Sequence, residues 1–343
     1  MRSGRLFLSL ALILCVAGVA LVAQKLEPPG AKMTSAAEKF LATLKDDQKT
    51  KAVFDFDAKE RSNWHFIPLQ TKDKQPSRQG LGLYDMTEEQ RKAALELVRA
   101  GTSMTGYDKA VTIMSLEGIL RDLEKNGAMV RNPQWYFFSV FGKPAATGKW
   151  GWRVEGHHLS LNFVIEDNKV VGFTPAFFGA NPAVVMAGDK KGLRTLPGCE
   201  EFARALIKSL DEDQKKLAYQ DKQLPEIEQG KVSPALGAPI GVPASKLNDK
   251  QKATLTKLLE AYTSRMPAEV AEVEMAEVKK AGLDKIYFAY AGNPEPGKPY
   301  TYRVHGPTFA VEFLNTQPDS AGNPANHIHS AWRKIGGDFG VKK

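Results

Sequence analysis

The sequence predicts an α+β fold built from two pseudo-symmetric repeats, each with helices followed by an antiparallel four-stranded sheet. The first observation is a motif that occurs twice: Trp150-Gly-Trp-Arg-Val-Glu-Gly156 returns as Tyr300-Thr-Tyr-Arg-Val-His-Gly306. The second is that residues 136–142 align with residues 286–292 at the same offset, without a gap. The third is the period of the apolar residues, which changes in each half from about 3.6, typical of helices, to 2, typical of strands. An internal duplication of this kind sets the architecture.

The first repeat, residues 34–180, is predicted to open with three helices. The first covers residues 35–44. Thr87 caps the second, and Gln90 is placed to complete a capping box. The third runs over residues 107–125, where Asn126-Gly127 provides a stop. Four strands are then expected, at residues 135–141, 150–154, 158–166 and 170–177, with a tight turn at Asp167-Asn168.

The second repeat, residues 198–340, follows the same order. Helices are expected over residues 200–217, after the cap Asn248 with Gln251 in the capping-box position, and over residues 267–282. The strands are expected at residues 285–291, 300–305, 308–315 and 326–333. The segment 223–243 is rich in proline and glycine and is predicted to be a long loop. Residues 68–79 are similar and are also predicted to be a loop. The two repeats are expected to pack as one globular unit.

The amino terminus has the pattern of a secretory signal. Arg2 and Arg5 precede an apolar run over residues 6–23, and small residues cluster near its end. We therefore expect residues 1–23 to be a signal peptide and the protein to be exported, either to a periplasm or to the medium. The run is also long enough to remain as a membrane anchor, so that alternative stays open.

Charge and motif content exclude several functional classes. The net charge is +8, yet the lysines alternate with acidic residues, as in Lys45-Asp-Asp-Gln-Lys-Thr-Lys51. This pattern is typical of a solvated surface and argues against a nucleic-acid partner. The chain contains no nucleophile-elbow motif and no dinucleotide-binding glycine pattern. Without the signal only Cys199 remains, so no intramolecular disulfide is expected.

Four of the six histidines fall in two short motifs, Gly156-His-His-Leu-Ser-Leu-Asn-Phe163 and Asn326-His-Ile-His-Ser-Ala-Trp-Arg333. Alternate residues of a strand point to the same face. His327 and His329 are therefore expected to share one face. By the same argument His158, Ser160 and Asn162 share a face opposite three apolar residues.

A carboxylate completes this predicted cluster. In the repeat alignment Glu312 takes the place of Asn162, on a strand followed by the His327 and His329 strand. If the two strands form a hairpin, Glu312 lies on the face of the histidines. Two imidazoles and a carboxylate at this spacing can bind a divalent transition metal with open positions. His158 is expected to be a fourth ligand or a general acid/base.

Further residues receive supporting roles in this interpretation. Ser160 and Asn162 would orient substrate or bound water, and Arg333 would hold an anionic group or support the metal ligands. His157 and His65 are additional candidates for substrate binding. Two other interpretations remain open. One is a polar seam between the sheets, stabilised by buried arginines, and the other is a catalytic cleft without a metal.

Several motifs occur in one order along nearly the whole chain: Trp64-His-Phe-Ile-Pro68, Met86-Thr-Glu-Glu-Gln90, Ile113-Met-Ser-Leu-Glu117, Gly156-His-His-Leu-Ser-Leu-Asn162, Phe178-Gly-Ala-Asn-Pro182, Asn326-His-Ile-His329 and Asp338-Phe-Gly340. In these motifs the chain resembles the bacterial and fungal family known as domain of unknown function 3500. The resemblance implies no activity. It does place the family's motifs on the same histidines, including His65.

The sequence as a whole favours an exported, metal-dependent enzyme, an oxidoreductase or a hydrolase, that acts on a small molecule. The alternative is a ligand-binding protein without catalysis, whose histidines form a structural seam between the repeats. No membrane contact is expected unless residues 1–23 are kept as an anchor.

Overall fold

The computed structural model describes residues 27–125 and 127–341. The predicted signal peptide lies outside these residues, as does Asn126 of the predicted helix stop. The helices described are α1 Pro29–Ala42, α2 Asp46–Ala52, α3 Glu88–Gly101, α4 Met104–Leu123, α5 Pro197–Ser209, α6 Glu212–Ala218, α7 Asp249–Thr263 and α8 Ala268–Ala281. Within the part of the chain that is described, no helix is both long enough and apolar enough to cross a membrane.

The strands are β1 Val53–Phe54, β2 Leu81–Gly82, β3 Phe137–Phe141, β4 Lys149–Gly156, β5 Leu159–Glu166, β6 Lys169–Gly172, β7 Ala176–Phe178, β8 Val242–Pro243, β9 Tyr287–Gly292, β10 Tyr300–His305, β11 Phe309–Gln317 and β12 His327–Lys334. The fold is therefore α+β, as predicted. The expected strand at 170–177 is divided into β6 and β7. The expected turn between β5 and β6 is confirmed, because Asp167 and Asn168 both have positive φ, 50° and 60°.

Local capping explains where several helices begin. The Thr87 side chain accepts a hydrogen bond from the Gln90 amide, and Asn248 does the same for Gln251, so both predicted capping boxes are present. The expected helix at 200–217 is divided into α5 and α6, because Asp211 caps a new helix at that point.

A pair of buried glutamines joins the helices of each half. Gln48 and Gln90 exchange amide hydrogen bonds of 3.0 and 2.7 Å. Gln214 and Gln251 exchange bonds of 3.0 and 2.8 Å in the same way. Each pair satisfies polar groups at a helix start that would otherwise be buried without partners.

The strands of both halves form one sheet of twelve strands, with the main order β1-β3-β4-β5-β7-β12-β11-β10-β9-β8. The prediction of two four-stranded sheets is not confirmed. The reason is the antiparallel pairing of β7 with β12, in which Phe177 lies opposite Ala331 and Ala176 opposite Trp332. This pairing places the last strand of the second half beside the first half.

The two faces of the sheet differ in character. One face carries large apolar side chains, among them Trp152, Leu161, Tyr302 and Phe313, which belong to the main core together with the buried positions of α1, α3, α5 and α7. The opposite face carries buried polar side chains, and it is covered by loops that include residues 55–80 and 223–243. The histidines of β12 lie on this polar face, near the β7–β12 junction.

Candidate metal centre

Three histidine side chains converge at the junction of the two halves. The Nε2 atom of His158 lies 2.8 Å from Nε2 of His327 and 3.2 Å from Nε2 of His329. The third side of this triangle, from His327 to His329, measures 3.1 Å. His158 and His329 are 3% and 6% exposed, and His327 is partly exposed. We call these three side chains the histidine triad.

His158 enters the triad from the two-residue turn between β4 and β5. Gly156 pairs with Leu159, so His157 and His158 form the turn itself. The strand begins at Leu159, one residue later than predicted, and His158 therefore does not share a strand face with Ser160 and Asn162. His158 has φ +63°, a left-handed conformation that is uncommon for a residue with a side chain. Its amide donates to the Phe66 carbonyl at 2.8 Å. Local strain of this kind persists where surrounding contacts fix the residue, and it is frequent at functional sites.

His327 and His329 enter from the start of β12, on one face, as strand alternation predicted. Ile328 between them is fully buried in the main core, on the other side of the sheet. The His327 amide donates to Asn315 Oδ1 at 3.0 Å, which fixes the first residue of the strand.

The contact of its outer nitrogen defines how His329 is protonated. Nδ1 of His329 lies 2.8 Å from a carboxylate oxygen of Glu226, so Nδ1 carries the proton and donates it. Nδ1 of His327 lies 3.4 Å from the side-chain nitrogen of Asn181. In His329, Nε2 is left with a lone pair directed at Nε2 of His158 and of His327. This is the arrangement by which proteins orient metal-binding histidines.

Burial keeps His158 and His327 uncharged. It lowers the pKa of His327 to about 2, with His329, His157 and Arg131 acting in the same direction. The pKa of His158 is well below its ordinary value, again through burial first and then through the neighbouring histidines and Arg131. Neutral imidazole is the form that binds metals.

The spacing of the three nitrogens fits a single small metal ion. The lone pair of His329 Nε2 faces Nε2 of His327 across 3.1 Å, a distance that requires a proton or a cation between the two nitrogens. Two nitrogen ligands at about 2.0–2.1 Å from a tetrahedral metal lie about 3.3 Å apart, close to the sides of this triangle. The three nitrogens therefore lie close enough together to hold one ion.

A fourth histidine, His157, lies against the ring of His158. Ring nitrogens of His157, His158 and His327 lie within 4.8 Å of one another, and the rings of His157 and His158 stack at 3.8 Å. Nδ1 of His157 binds the buried carboxylate of Glu117 on α4 and lies 3.2 Å from a guanidinium nitrogen of Arg131. Arg131 is held by two hydrogen bonds to Glu124, of 2.7 and 3.1 Å. His157 is thus held firmly beside the triad.

The family comparison agrees with the motifs that carry these histidines. The model of the family DUF3500, described as a protein of unknown function, matches residues 27–341. The chain belongs to the DUF3500 family. A search of the curated proteins and a search of the solved structures each find no match. The site of this DUF3500 protein must therefore be interpreted from its own geometry.

The structure does not bring Glu312 to the triad, which corrects the predicted ligand set. Glu312 lies on the expected face, but its register partner is Ala331, whereas His329 lies opposite Leu314. The Glu312 carboxylate faces Arg303 at 3.8 Å and Arg333 at 3.9 Å. The carboxylate that contacts the triad belongs to Glu226 instead.

Arg333 lies in a buried ion pair. Its Nε donates to Asp338 at 2.6 Å, and its other nitrogens donate to the carbonyls of Glu228 and Lys231. Its guanidinium lies over the Trp64 ring at 5.0 Å. These contacts anchor the loop and the carboxyl-terminal segment of the DUF3500 protein, and they leave the predicted role in anion binding or catalysis without structural support.

Ser160 and Asn162 lie on β5 and are buried, as their alternation predicted. Asn162 donates to Ser160 Oγ at 3.2 Å and to the Pro175 carbonyl at 2.9 Å. These bonds connect β5 to the segment before β7, so the two side chains support the sheet junction beside the triad. Their proposed contact with substrate stays a prediction.

His65 is placed away from the triad. Its Nε2 lies 2.9 Å from Asn63 Oδ1, and its amide donates to Glu155. The next residue, Phe66, takes the position near the site: its ring stacks on Phe177 at 4.0 Å and meets the His329 ring edge-on at 4.9 Å. The Trp64-His-Phe motif therefore contributes the Phe66 ring, which packs against His329, rather than a ligand.

Two carboxylates near the histidines were not identified from the sequence. Glu226 lies in the long loop at 223–243, where no periodicity marks a buried face. Glu117 could have been found, because it lies on the apolar stripe of α4 with Ile113 and Leu120. A carboxylate buried on such a stripe needs a partner, and here the partner is His157.

Proposed function

We propose that this DUF3500 protein is a metal-dependent enzyme whose ion is bound by His158, His327 and His329. The observation that carries the proposal is the convergence of three Nε2 atoms within 3.2 Å of one another. The orientation of His329 by Glu226 supports it, because carboxylate–histidine pairs of this kind support metal ligands in many enzymes.

The ligand set favours activation of a bound water. Structural metal sites in proteins usually have four protein ligands, whereas catalytic sites keep a position for water or substrate. Three neutral imidazoles leave the charge of a divalent ion uncompensated, and this lowers the pKa of a bound water to about 7 in zinc enzymes. We therefore favour hydrolysis or hydration of a small molecule over redox chemistry. His327 is partly exposed, so a substrate would approach the ion from the side of this residue.

Export belongs to the same proposal and rests on residues 1–23 alone, through their two arginines and apolar run. A periplasmic or secreted enzyme acting on a small molecule agrees with the charge pattern, which argues against a nucleic-acid substrate.

We also infer that the triad arose at the junction of two duplicated halves. The capping boxes of α3 and α7 and the two glutamine pairs have matching partners and bond lengths. His158 comes from the first half, and His327 and His329 come from the second. Only a chain with both halves in one sheet would then assemble the site.

The test is a metal analysis of protein purified without a histidine tag, after incubation with Zn²⁺, Mn²⁺, Fe²⁺ or Cu²⁺ and removal of free ion. We expect one ion per chain in the wild type and its loss in His158→Ala, His327→Ala and His329→Ala. His65→Ala is the matched control, because that ring lies away from the triad, and it should keep the ion. A wild type that binds none of these ions, with the three variants folded, would favour the structural seam.

Activity is tested on the metal-loaded protein with a panel of small esters, amides and lactones. The proposal requires metal-dependent turnover that chelation removes and that the three alanine variants lack. Stoichiometric metal without turnover in any class would leave the binding protein as the correct interpretation.

A further inference from the structure

An apolar groove of about 760 Å³ lies between α8 and β6. Val270 and Val273 line it on α8, and Val170 and Val171 line it on β6. Val273 is 61% exposed and Val171 is 42% exposed, so the described residues leave apolar surface of both walls open. Continuous apolar surface of this kind marks a place where another group packs.

The corresponding helix of the first half has such a cover. Helix α4 precedes the strands of the first half, as α8 precedes those of the second. Val185 and Leu193, from the segment after β7, pack with Leu116 on α4. Lys190 of the same segment donates to Ser115 on α4 at 3.0 Å. Among the described residues α8 has no equivalent cover, because its groove stays open.

The described part of the chain starts at this groove. Pro28, Pro29 and Gly30 form part of its lining, and the residues before Glu27 lie outside the described residues. Leu26 is two residues before Pro28. Consecutive Cα atoms are about 3.8 Å apart, so the Cα of Leu26 can lie no more than about 8 Å from that of Pro28. The segment that precedes Pro28 is therefore attached at the rim of the groove.

The signal pattern indicates which residues form this segment in an exported chain. A cleavage site has small residues one and three positions before the cut. Ala20 and Gly18 meet this rule for a cut after Ala20, whereas Leu21 fails it for a cut after Ala23. An exported chain would then begin with Leu21-Val-Ala-Gln-Lys-Leu26, in which four of the six residues are apolar.

We infer that residues 21–26 of the exported chain occupy this groove and cover Val171 and Val273. Burial of their apolar side chains against the valines removes apolar surface of both partners from water. Six extended residues span about 20 Å, whereas α8 rises only about 12 Å from Glu269 to Glu277, so the segment is long enough to cover this wall.

Attachment to the groove favours this segment over a free molecule. A covalently attached segment reaches its site at an effective concentration on the order of millimolar, which a free partner of similar composition must exceed to displace it. The inference uses the proposed export only to define the first residue of the chain, and it does not depend on a metal at the triad.

The experiment measures whether Val273 is covered in the exported protein. The full chain is expressed with its own amino terminus and collected after export, and its intact mass should show Leu21 as the first residue. Val273→Cys is then treated with a maleimide under native conditions. Cys199 does not interfere, because it is 1% exposed. The control is Met104→Cys on α4, a position outside the groove that is 76% exposed. We expect Val273→Cys to react at least about tenfold more slowly than this control.

A substitution in the segment itself completes the test. Leu26→Asp places a charge where burial is costly, so it should release the segment and raise the rate at Val273→Cys about tenfold. The rate at Met104→Cys should stay unchanged in the same background. Equal rates at the two positions without Leu26→Asp, or protection that persists with it, would overturn the inference. Protection that disappears on dilution would assign the groove to a second copy of the chain and overturn it as well.

The first residue separates this inference from the proposed export. An exported chain that begins at a residue other than Leu21 contradicts the inference alone. A chain that stays uncut inside the cell contradicts both.

Discussion

Glu226 Oε2 lies 2.8 Å from Nδ1 of His329, although the two residues are far apart in the chain. The loop at 223–243 crosses the polar face of the sheet and brings this carboxylate to the outer nitrogen of a predicted metal ligand. The bond fixes both the orientation and the tautomer of the imidazole, and it thereby directs Nε2 at His158 and His327.

The first prediction concerns this bond. Glu226→Gln keeps the shape of the side chain but removes its charge, so it weakens the support of His329. We expect metal affinity to fall about 10- to 100-fold with little change in fold. A competition titration against a chromogenic chelator measures the change. Glu228→Gln in the same loop is the control, because its side chain accepts from the Ala235 amide and, among the residues that the structure describes, hydrogen-bonds to no histidine. Equal affinities in the two variants would contradict the assigned role.

The second prediction compares the two halves. Gln90→Ala and Gln251→Ala each remove a capping-box bond and leave a buried glutamine, Gln48 or Gln214, without its amide partner. Each substitution should lower the free energy of unfolding by about 1–3 kcal/mol. If the halves are related by duplication, the two losses should agree within about 0.5 kcal/mol. Urea unfolding of both variants measures them, with exposed Gln75→Ala as a control that should be near neutral.

Local patterns in the sequence were sufficient for these glutamines and for the histidines of β12. A capping box depends on residues three apart, and the shared face of His327 and His329 depends on strand alternation. Both are properties of a short segment, so one sequence is enough to predict them. The approach of His158 to these histidines was predicted only for the case that the two repeats meet along their sheets, so it depends on a long-range contact as well.

Long-range pairing explains what the sequence did not predict. The joining of β7 to β12 depends on which sheet edges meet, and nothing in either strand's pattern specifies it. Glu312 was placed on the correct face, yet the register opposite Ala331 set it between Arg303 and Arg333. Glu226 lies in a loop without periodicity, and a contact of that kind is determined by the folded surface rather than by neighbouring residues.

The third prediction follows from the burial of Glu312. Burial raises the pKa of this carboxyl to about 6, and Arg333 and Arg303 only partly oppose the effect. The folded protein therefore binds this proton more tightly than the unfolded chain, whose carboxyl has a pKa near 4.5. The associated stability is fully present below pH 4.5 and is lost as the pH rises through about 6.

A difference of this size corresponds to about 2 kcal/mol. We expect Glu312→Gln to match the wild type near the lower end of that pH range and to exceed it by about this amount at neutral pH. Urea unfolding across the range measures both proteins, and exposed Glu272→Gln should follow the wild type at every pH. A Glu312→Gln variant that is less stable than the wild type at neutral pH would show that the ion pairs with the arginines outweigh burial.

The fourth prediction concerns the close approach of Gly179 to His158. A Cβ atom at Gly179 would lie 2.7 Å from the Ile328 carbonyl oxygen and 3.0 Å from Cδ2 of the His158 ring. The carbonyl belongs to the strand and cannot move freely, so Gly179→Ala must displace backbone or push the imidazole out of the triad. We expect a loss of about 1–3 kcal/mol in stability and a clear loss of metal affinity, because the metal ligand itself moves.

Gly118 on α4 provides the matched control. A Cβ there would come no closer than 4.0 Å to Pro133, so Gly118→Ala should stabilise the helix, by about 0.5–1 kcal/mol, and leave metal binding unchanged. Thermal unfolding and the chelator titration, applied to both variants, separate a packing defect from a ligand defect. Gly179→Ala with lower stability but full metal affinity would show that His158 is held by its turn rather than by this contact.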